Sequence, residues 1–83
     1  MQVTNTPDSS NITRFGWTEG DNLYIQFKKG PVYRYFGVPE EVYHNMSTAD
    51  SAGKFFSAYV RGDYVNSELP AHEAAGLTWC IEE

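Results

Sequence analysis

The sequence predicts an α+β domain in which an antiparallel β-meander of three or four strands packs against two short α-helices. Segments of alternating apolar and polar residues, separated by turn-forming residues, fill much of the first 36 positions. Two segments with helical spacing of apolar residues follow. A chain of 83 residues is long enough for one hydrophobic core, so we expect a single domain.

The strands are predicted from alternation and from the turns between them. Residues 23–28 carry the clearest signal, since apolar and polar side chains alternate throughout. Weaker strands are predicted over 12–17 and 32–36, and glycine-containing turns separate all three. Connections this short join antiparallel neighbours, which gives the meander.

The helices are predicted from their first residues. Pro39 fits the first helical position, and the two glutamates after it favour the positive end of the helix dipole. Asp50 or Ser51 can cap a second helix, and Gly62 is a suitable stop. The late apolar segment 77–81 is strand-like, and it either adds to the sheet edge or pairs with another protomer.

These elements divide the chain into three parts: a flexible leader (1–10), the domain itself (11–64) and an acidic C-terminal segment (65–83) that packs on the sheet or on a partner protomer.

The net charge is −5, and all six lysines and arginines precede position 64. Residues 64–83 hold four glutamates and no basic residue. This distribution argues against long nucleic acid as a partner.

Several function classes lack a signal in the sequence. Cys80 is the only cysteine, which is natural in a reducing compartment. The chain shows no secretory signal and no run long enough to span a membrane, so we expect a cytoplasmic protein, in the host cytoplasm if a phage encodes it. Paired zinc-ligand spacing, phosphate loops and nucleophile elbows are absent from the sequence. We therefore predict no enzyme activity, no metal and no cofactor.

A set of short motifs runs in order through the chain. They are Ile12…Gly16-Trp17, Leu23-Tyr24-Ile25-Gln26-Phe27, Gly30, Tyr33-Arg34-Tyr35, Gly37-Val38-Pro39, Ala49-Asp50-Ser51-Ala52-Gly53-Lys54-Phe55-Phe56 and Arg61-Gly62-Asp63-Tyr64. From Ser10 to Tyr64 the chain resembles the KTSC domain family, named for the C-terminal region of certain lysyl-tRNA synthetases and also found as free-standing small bacterial and phage proteins. The resemblance implies the fold, and it implies RNA binding as a suggested role.

Strand alternation predicts which side chains share a face of the sheet. The residues expected to face the helices are Phe15, Trp17, Leu23, Ile25, Phe27, Tyr33 and Tyr35. The residues expected on the opposite face, which we call the outer face, are Ile12, Arg14, Tyr24, Gln26, Lys28, Val32, Arg34 and Phe36. One bulge would reverse this assignment within a strand.

The outer face combines aromatic rings with basic side chains, a combination that holds bases by stacking and phosphates by charge. The candidate ligand-binding residues are Arg14, Tyr24, Gln26, Lys28, Arg34 and Phe36, with Tyr33 and Tyr35 of the same motif. The same residue types also favour core packing for the tyrosines, simple solvation for Arg34, or an oligomer interface. The sequence leaves these alternatives open.

The net charge and the residue types of the outer face together predict the function. A small anionic ligand needs one or two arginines and a stacking ring, whereas a long RNA needs many phosphate contacts. We therefore predict a non-enzymatic binding module for a nucleotide or cyclic nucleotide, for example a sequestering protein, acting as a homo-oligomer. A protein–protein interaction or assembly module is the alternative, and an RNA-binding accessory domain is a further one.

Overall fold

Five antiparallel strands and three helices succeed one another in a computed structural model that describes residues 2–6, 9 and 11–77. The elements are β1 (Gln2–Asn5), β2 (Ile12–Thr18), β3 (Asn22–Phe27), β4 (Val32–Phe36), α1 (Glu40–Thr48), α2 (Ala52–Tyr59), β5 (Asn66–Glu68) and α3 (Ala71–Ala75). The strands form one sheet in the order β1-β2-β3-β4-β5. The α+β class and the central meander are confirmed.

The sheet is wider than the three or four predicted strands because both edges come from weakly patterned segments. Residues 2–5, within the predicted leader, form β1 and pair with β2. Residues 66–68 form β5 and pair with β4, which makes this short segment the second edge of the sheet. The strand-like segment 77–81 lies outside the described residues from position 78 onward.

The core lies between one face of the sheet and the helices α1 and α2. Its buried members are Ile12, Phe15, Trp17, Leu23, Ile25, Tyr35, Val38, Tyr43, Met46, Phe56 and Val60. Inside it, the indole Nε1 of Trp17 donates to the Val38 carbonyl over 2.7 Å. This bond ties the end of β2 to the chain entering α1, and it satisfies two polar groups that burial would otherwise leave without a partner.

Two of the predicted outer-face positions are buried instead. Ile12 is fully buried, because the pairing of β2 with β3 shifts register between Ile12 and Arg14 and reverses the alternation there. Val32 is 3% exposed although it pairs with Gln26 on the outer side. It lies where the C-terminal segment joins the sheet, since the Leu69 amide donates to its carbonyl over 2.8 Å.

Both helices begin within one residue of the predicted position, but α2 ends at Tyr59, before the predicted stop at Gly62. Pro39 was predicted as the first helical residue. It is instead the N-cap of α1, so the helix begins one residue later, at Glu40. Ser51, the second of the two predicted candidates, caps α2 by accepting from the Lys54 amide over 3.2 Å. Over the described ranges, no helix combines the length and the apolar character needed to cross a membrane.

Candidate ligand-binding site

A groove of about 580 Å³ lies between helix α2 and the adjoining parts of strands β3 and β4, within the range typical of ligand pockets. The residues that line it are Asn11, Ile12, Phe27, Lys28, Lys29, Pro31, Tyr33, Tyr35, Gly53, Phe56, Ser57, Arg61 and Asn66. It opens on the helix side of the sheet, so it is distinct from the outer face.

The groove is basic. Lys28 and Lys29 enter it from the turn after β3, and Arg61 enters from the turn after α2. None of the described residues that line the groove is acidic. The Arg61 side chain is exposed, and within residues 2–6, 9 and 11–77 its guanidinium makes no hydrogen bond or ion pair. Arg61 is therefore available to an anion in the groove.

Aromatic rings form the other part of the groove wall. The Phe56 ring of α2 packs edge-to-face against Phe27 and Tyr35, with centroids 5.7 and 5.4 Å apart. Phe27 in turn meets the Tyr33 ring at 5.6 Å. Edge-to-face packing of this kind fixes each ring relative to its neighbours. The groove thus places packed aromatic rings beside basic side chains.

The pKa values of both groove tyrosines, Tyr33 and Tyr35, lie above the usual value for a tyrosine. The hydroxyl of Tyr33 donates to Glu68 Oε1 over 3.1 Å, and this hydrogen bond and the carboxylate charge raise the pKa of Tyr33. Burial raises the pKa of Tyr35, the nearby Tyr33 adds to the rise, and Arg61 opposes it. Both hydroxyls are consequently donors at neutral pH.

On the outer face, Arg34 makes cation–π contacts with two aromatic rings. Its guanidinium carbon lies 4.7 Å from the centroid of Phe36 and 5.9 Å from that of Tyr24. Its Nε donates to Asn22 Oδ1 over 3.2 Å. Cation–π contact and hydrogen bonding together fix this side chain. Arg34 is thus already engaged within the protein.

A second pair continues the same face. The Nε of Arg14 donates to Gln26 Oε1 over 2.6 Å, across the β2–β3 pairing. Both side chains are partly buried. On the outer face, hydrogen bonds therefore join side chains of neighbouring strands, Arg14 to Gln26 and Arg34 to Asn22.

The predicted site residues divide between the two faces of the sheet. Arg14, Tyr24, Gln26, Arg34 and Phe36 share the outer face, as the alternation predicts. Lys28, Tyr33 and Tyr35 line the groove on the other side. Lys28 was predicted on the outer face, but it follows the last residue of β3, where strand alternation no longer decides its direction. A ligand role for any of these residues stays a prediction.

The candidate set omitted Arg61, Lys29 and the glycine and serine of α2 that line the groove. Gly53, Ser57 and Arg61 stand four positions apart, which places them along one helical stripe. That stripe of two small residues and an arginine, next to the apolar stripe through Phe56, was the signal available in the sequence.

Comparison with known proteins identifies the family. The family model of the KTSC domain matches residues 8–64, more than half of the chain. The chain belongs to the KTSC domain family. The matched region covers β2 to α2 and the turn that carries Arg61, so the groove lies largely within the KTSC domain.

Two similar proteins are lysine–tRNA ligases. The chain is 33% identical over 64 residues to the ligase of Nostoc punctiforme and 30% identical over 64 residues to that of Trichormus variabilis. Each alignment covers 76% of this chain but 11% of the ligase. The KTSC domain therefore corresponds to a small part of those proteins.

A solved structure matches the fold. The crystal structure of a KTSC domain protein from Yersinia pestis superposes with a TM-score of 0.75 at 32% sequence identity. The match covers 83% of this chain and 97% of that one. The match therefore extends over nearly the full length of that protein's chain.

The Tyr33–Glu68 contact gives a prediction about titration. Replacing Glu68 by Gln removes the carboxylate that favours the protonated phenol, so the pKa of Tyr33 falls toward 10.0. In the unchanged chain, the stabilisation from this contact is present below pH 10.0 and is lost as the pH rises through the higher folded-state pKa.

Titration of ¹³Cζ-labelled tyrosine by NMR measures this directly. The Tyr24 resonance serves as an internal control on the outer face. An unchanged Tyr33 pKa in the Glu68→Gln variant would show that Glu68 does not set it.

Proposed function

We propose that this KTSC domain is a non-enzymatic binding module that holds a small nucleotide-type anion in the groove between α2 and strands β3 and β4, and so acts as a sequestering protein. The observation that carries the proposal is the joint placement of Lys28, Lys29 and Arg61 with the half-buried rings of Phe27 and Tyr33 in one groove. The proposed site lies on the opposite side of the sheet from most of the residues that the sequence predicted.

The chemistry of the groove fits a ligand with a planar ring and a phosphate. Lysine and arginine donate charge-assisted hydrogen bonds to phosphate oxygens. Aromatic side chains accept a nucleobase by stacking, with little dependence on which base it is. Asn11 and Asn66, also in the lining, add amide donors and acceptors that can pair with the edge of a base.

Charge favours a small ligand over a polymer. The net charge of −5 opposes a polyanion, whose binding requires many phosphate contacts. Glu68 beside Tyr33 adds a negative charge at one side of the groove. The similarity to segments of lysine–tRNA ligases motivates RNA as the competing ligand, and it belongs in the test for that reason.

The groove is tested by two arginine substitutions that change the net charge equally. Arg61→Ala removes an arginine in the groove, and Arg34→Ala removes one on the outer face. We expect Arg61→Ala to weaken nucleotide binding about tenfold or more, because a hydrogen bond to a charged group contributes about 1.5–3 kcal/mol. Arg34→Ala should bind within about twofold of the unchanged chain.

The measurement is calorimetric titration of the purified chain with mononucleotides, cyclic mononucleotides and a tRNA, after mass spectrometry of any ligand released on denaturation. If only Arg34→Ala binds the nucleotide more weakly, the ligand binds on the outer face and not in the groove. Binding of tRNA without binding of nucleotides would support the RNA-binding alternative. If no ligand is released and none of the three binds, the proposal is wrong.

As a second candidate function, we propose that the outer face is an assembly surface. Through it, the chain would form a homo-oligomer. Phe36 is 37% exposed there, next to the stacked Arg34 and Tyr24. Phenylalanine, tyrosine and arginine are the residues enriched at protein interfaces.

Light scattering of the chain and of Phe36→Ser tests the assembly. We expect an oligomer for the unchanged chain and a smaller mass for the variant, since serine in place of Phe36 removes an exposed aromatic anchor from the proposed interface. Tyr59→Ser is the control, because Tyr59 is also exposed but lies on α2, away from the outer face. A monomeric unchanged chain would contradict the oligomer.

A further inference from the structure

The side of the groove along strand β5 differs in chemistry from the rest. Across the β4–β5 pairing, Tyr33 lies opposite Glu68 and Tyr35 lies opposite Asn66. Residues directly opposite each other in an antiparallel pair share a face of the sheet, and both tyrosines line the groove. Asn66 and Glu68 therefore stand on the groove face, and Asn66 is itself in the lining. Strand β5 thus places an amide and a carboxylate side by side along one edge of the groove.

The Glu68 carboxylate is held by one hydrogen bond and keeps acceptor capacity for a ligand. Its Oε1 accepts from the Tyr33 hydroxyl over 3.1 Å. Within residues 2–6, 9 and 11–77, its Oε2 accepts no hydrogen bond and the carboxylate makes no ion pair. A carboxylate accepts at about four lone-pair sites, so one contact leaves most of them open. Asn66 also keeps a free amide hydrogen, since its single listed contact among these residues is a bond of 3.4 Å from Nδ2 to the Tyr64 carbonyl.

Basic side chains stand at the other edges of the groove. Lys28 and Lys29 enter from the turn after β3, and Arg61 enters from the turn after α2. A ligand that meets both sides needs an anionic group for the cations and hydrogen-bond donors for the carboxylate. A phosphate supplies the first in every nucleotide. The second depends on the base.

The nucleobases differ in the donors that their Watson–Crick edges present. Guanine carries adjacent donors, N1–H and the N2 amino group, followed by the O6 acceptor. Adenine and cytosine place an amino donor next to a ring-nitrogen acceptor, and that acceptor would face the acceptor oxygens of Glu68. Guanine instead gives the carboxylate a donor for each of its contacts, and its O6 can accept from the Asn66 amide.

From these features we infer that Glu68 determines base specificity and that the ligand is a guanine nucleotide, open-chain or cyclic. The carboxylate accepts from N1–H and from the N2 amino group, Asn66 donates to O6, and the phosphate lies toward the basic side chains. This inference rests on the proposed function and narrows its ligand class from nucleotides in general to those of one base.

The test is calorimetric titration of the full chain with the 5′-monophosphates of guanosine, inosine and adenosine, and with cyclic guanosine and cyclic adenosine monophosphate. We expect the guanine nucleotides to bind about tenfold or more tightly than their adenine counterparts, because adenine leaves the carboxylate facing an acceptor. Inosine monophosphate keeps N1–H but lacks the N2 amino group, so its affinity should lie between the two. The open-chain and cyclic probes distinguish the two sources of the same chemistry.

Glu68→Gln tests base selection with little change of shape. The amide offers a donor where the carboxylate offered an acceptor, so the preference for guanine should fall to about threefold or less. Glu73→Gln is the matched control, since it removes the same charge from α3 and Glu73 is not among the described residues that line the groove. This control should keep the preference.

Asn66→Asp is a second, independent variant. It sets a carboxylate against O6 of guanine but against the amino group of adenine, so guanosine monophosphate should bind more weakly while adenosine monophosphate does not. Thermal unfolding by circular dichroism establishes that each variant is folded. If one of the two β5 variants does not fold, the other decides.

The outcomes separate this inference from the proposed function. Nucleotide binding that depends on Arg61 but shows no preference for guanine overturns the inference and leaves the proposed function standing. A guanine preference that persists unchanged in Glu68→Gln also overturns it. Equal strengthening of all nucleotides in that variant does the same, because Glu68 would then act only by repelling the phosphate. Absence of all nucleotide binding overturns the proposed function and this inference together.

Discussion

The packing of the Phe56 ring against Phe27 and Tyr35 is the contact on which the rest of the structure depends. It joins α2 to the centre of the sheet, with Phe56 only 5% exposed. Because large aromatic rings separate helix from strands, smaller residues along the next stripe of α2 do not reach the sheet, and a groove remains beside the contact. One packing interaction therefore closes the core and forms one side of the candidate site.

The central part of the fold follows from local sequence signals, and its edges do not. The alternation of residues 23–28 specifies β3, and Ser51 specifies the start of α2, because each signal acts within a few residues. The edge strands β1 and β5 are short and largely polar, so their pairing depends on a neighbour that supplies hydrogen bonds. The buried Ile12 depends on a register shift that alternation alone cannot indicate.

The candidate site was predictable in its chemistry and only partly in its location. Strand alternation places Arg14, Tyr24 and Arg34 together, and the structure agrees. The groove brings together residues from β3, β4 and the end of α2, and no sequence spacing relates Tyr33 to Arg61 before the helix is packed on the sheet. Aromatic and basic residues in one small acidic chain predict an anionic planar ligand, but tertiary packing decides on which side of the sheet a groove forms.

Amide chemical-shift mapping of the ¹⁵N-labelled chain during titration with a nucleotide shows directly which side of the sheet binds the ligand. We expect the largest shifts at Gly53 and Ser57 of α2 and at Arg61 in the turn after it, all of which line the groove. The amides of Arg14 and Tyr24, on the strands of the outer face, should move least. The largest shifts at Arg14 and Tyr24, with α2 unaffected, would contradict the account and place the ligand on the outer face.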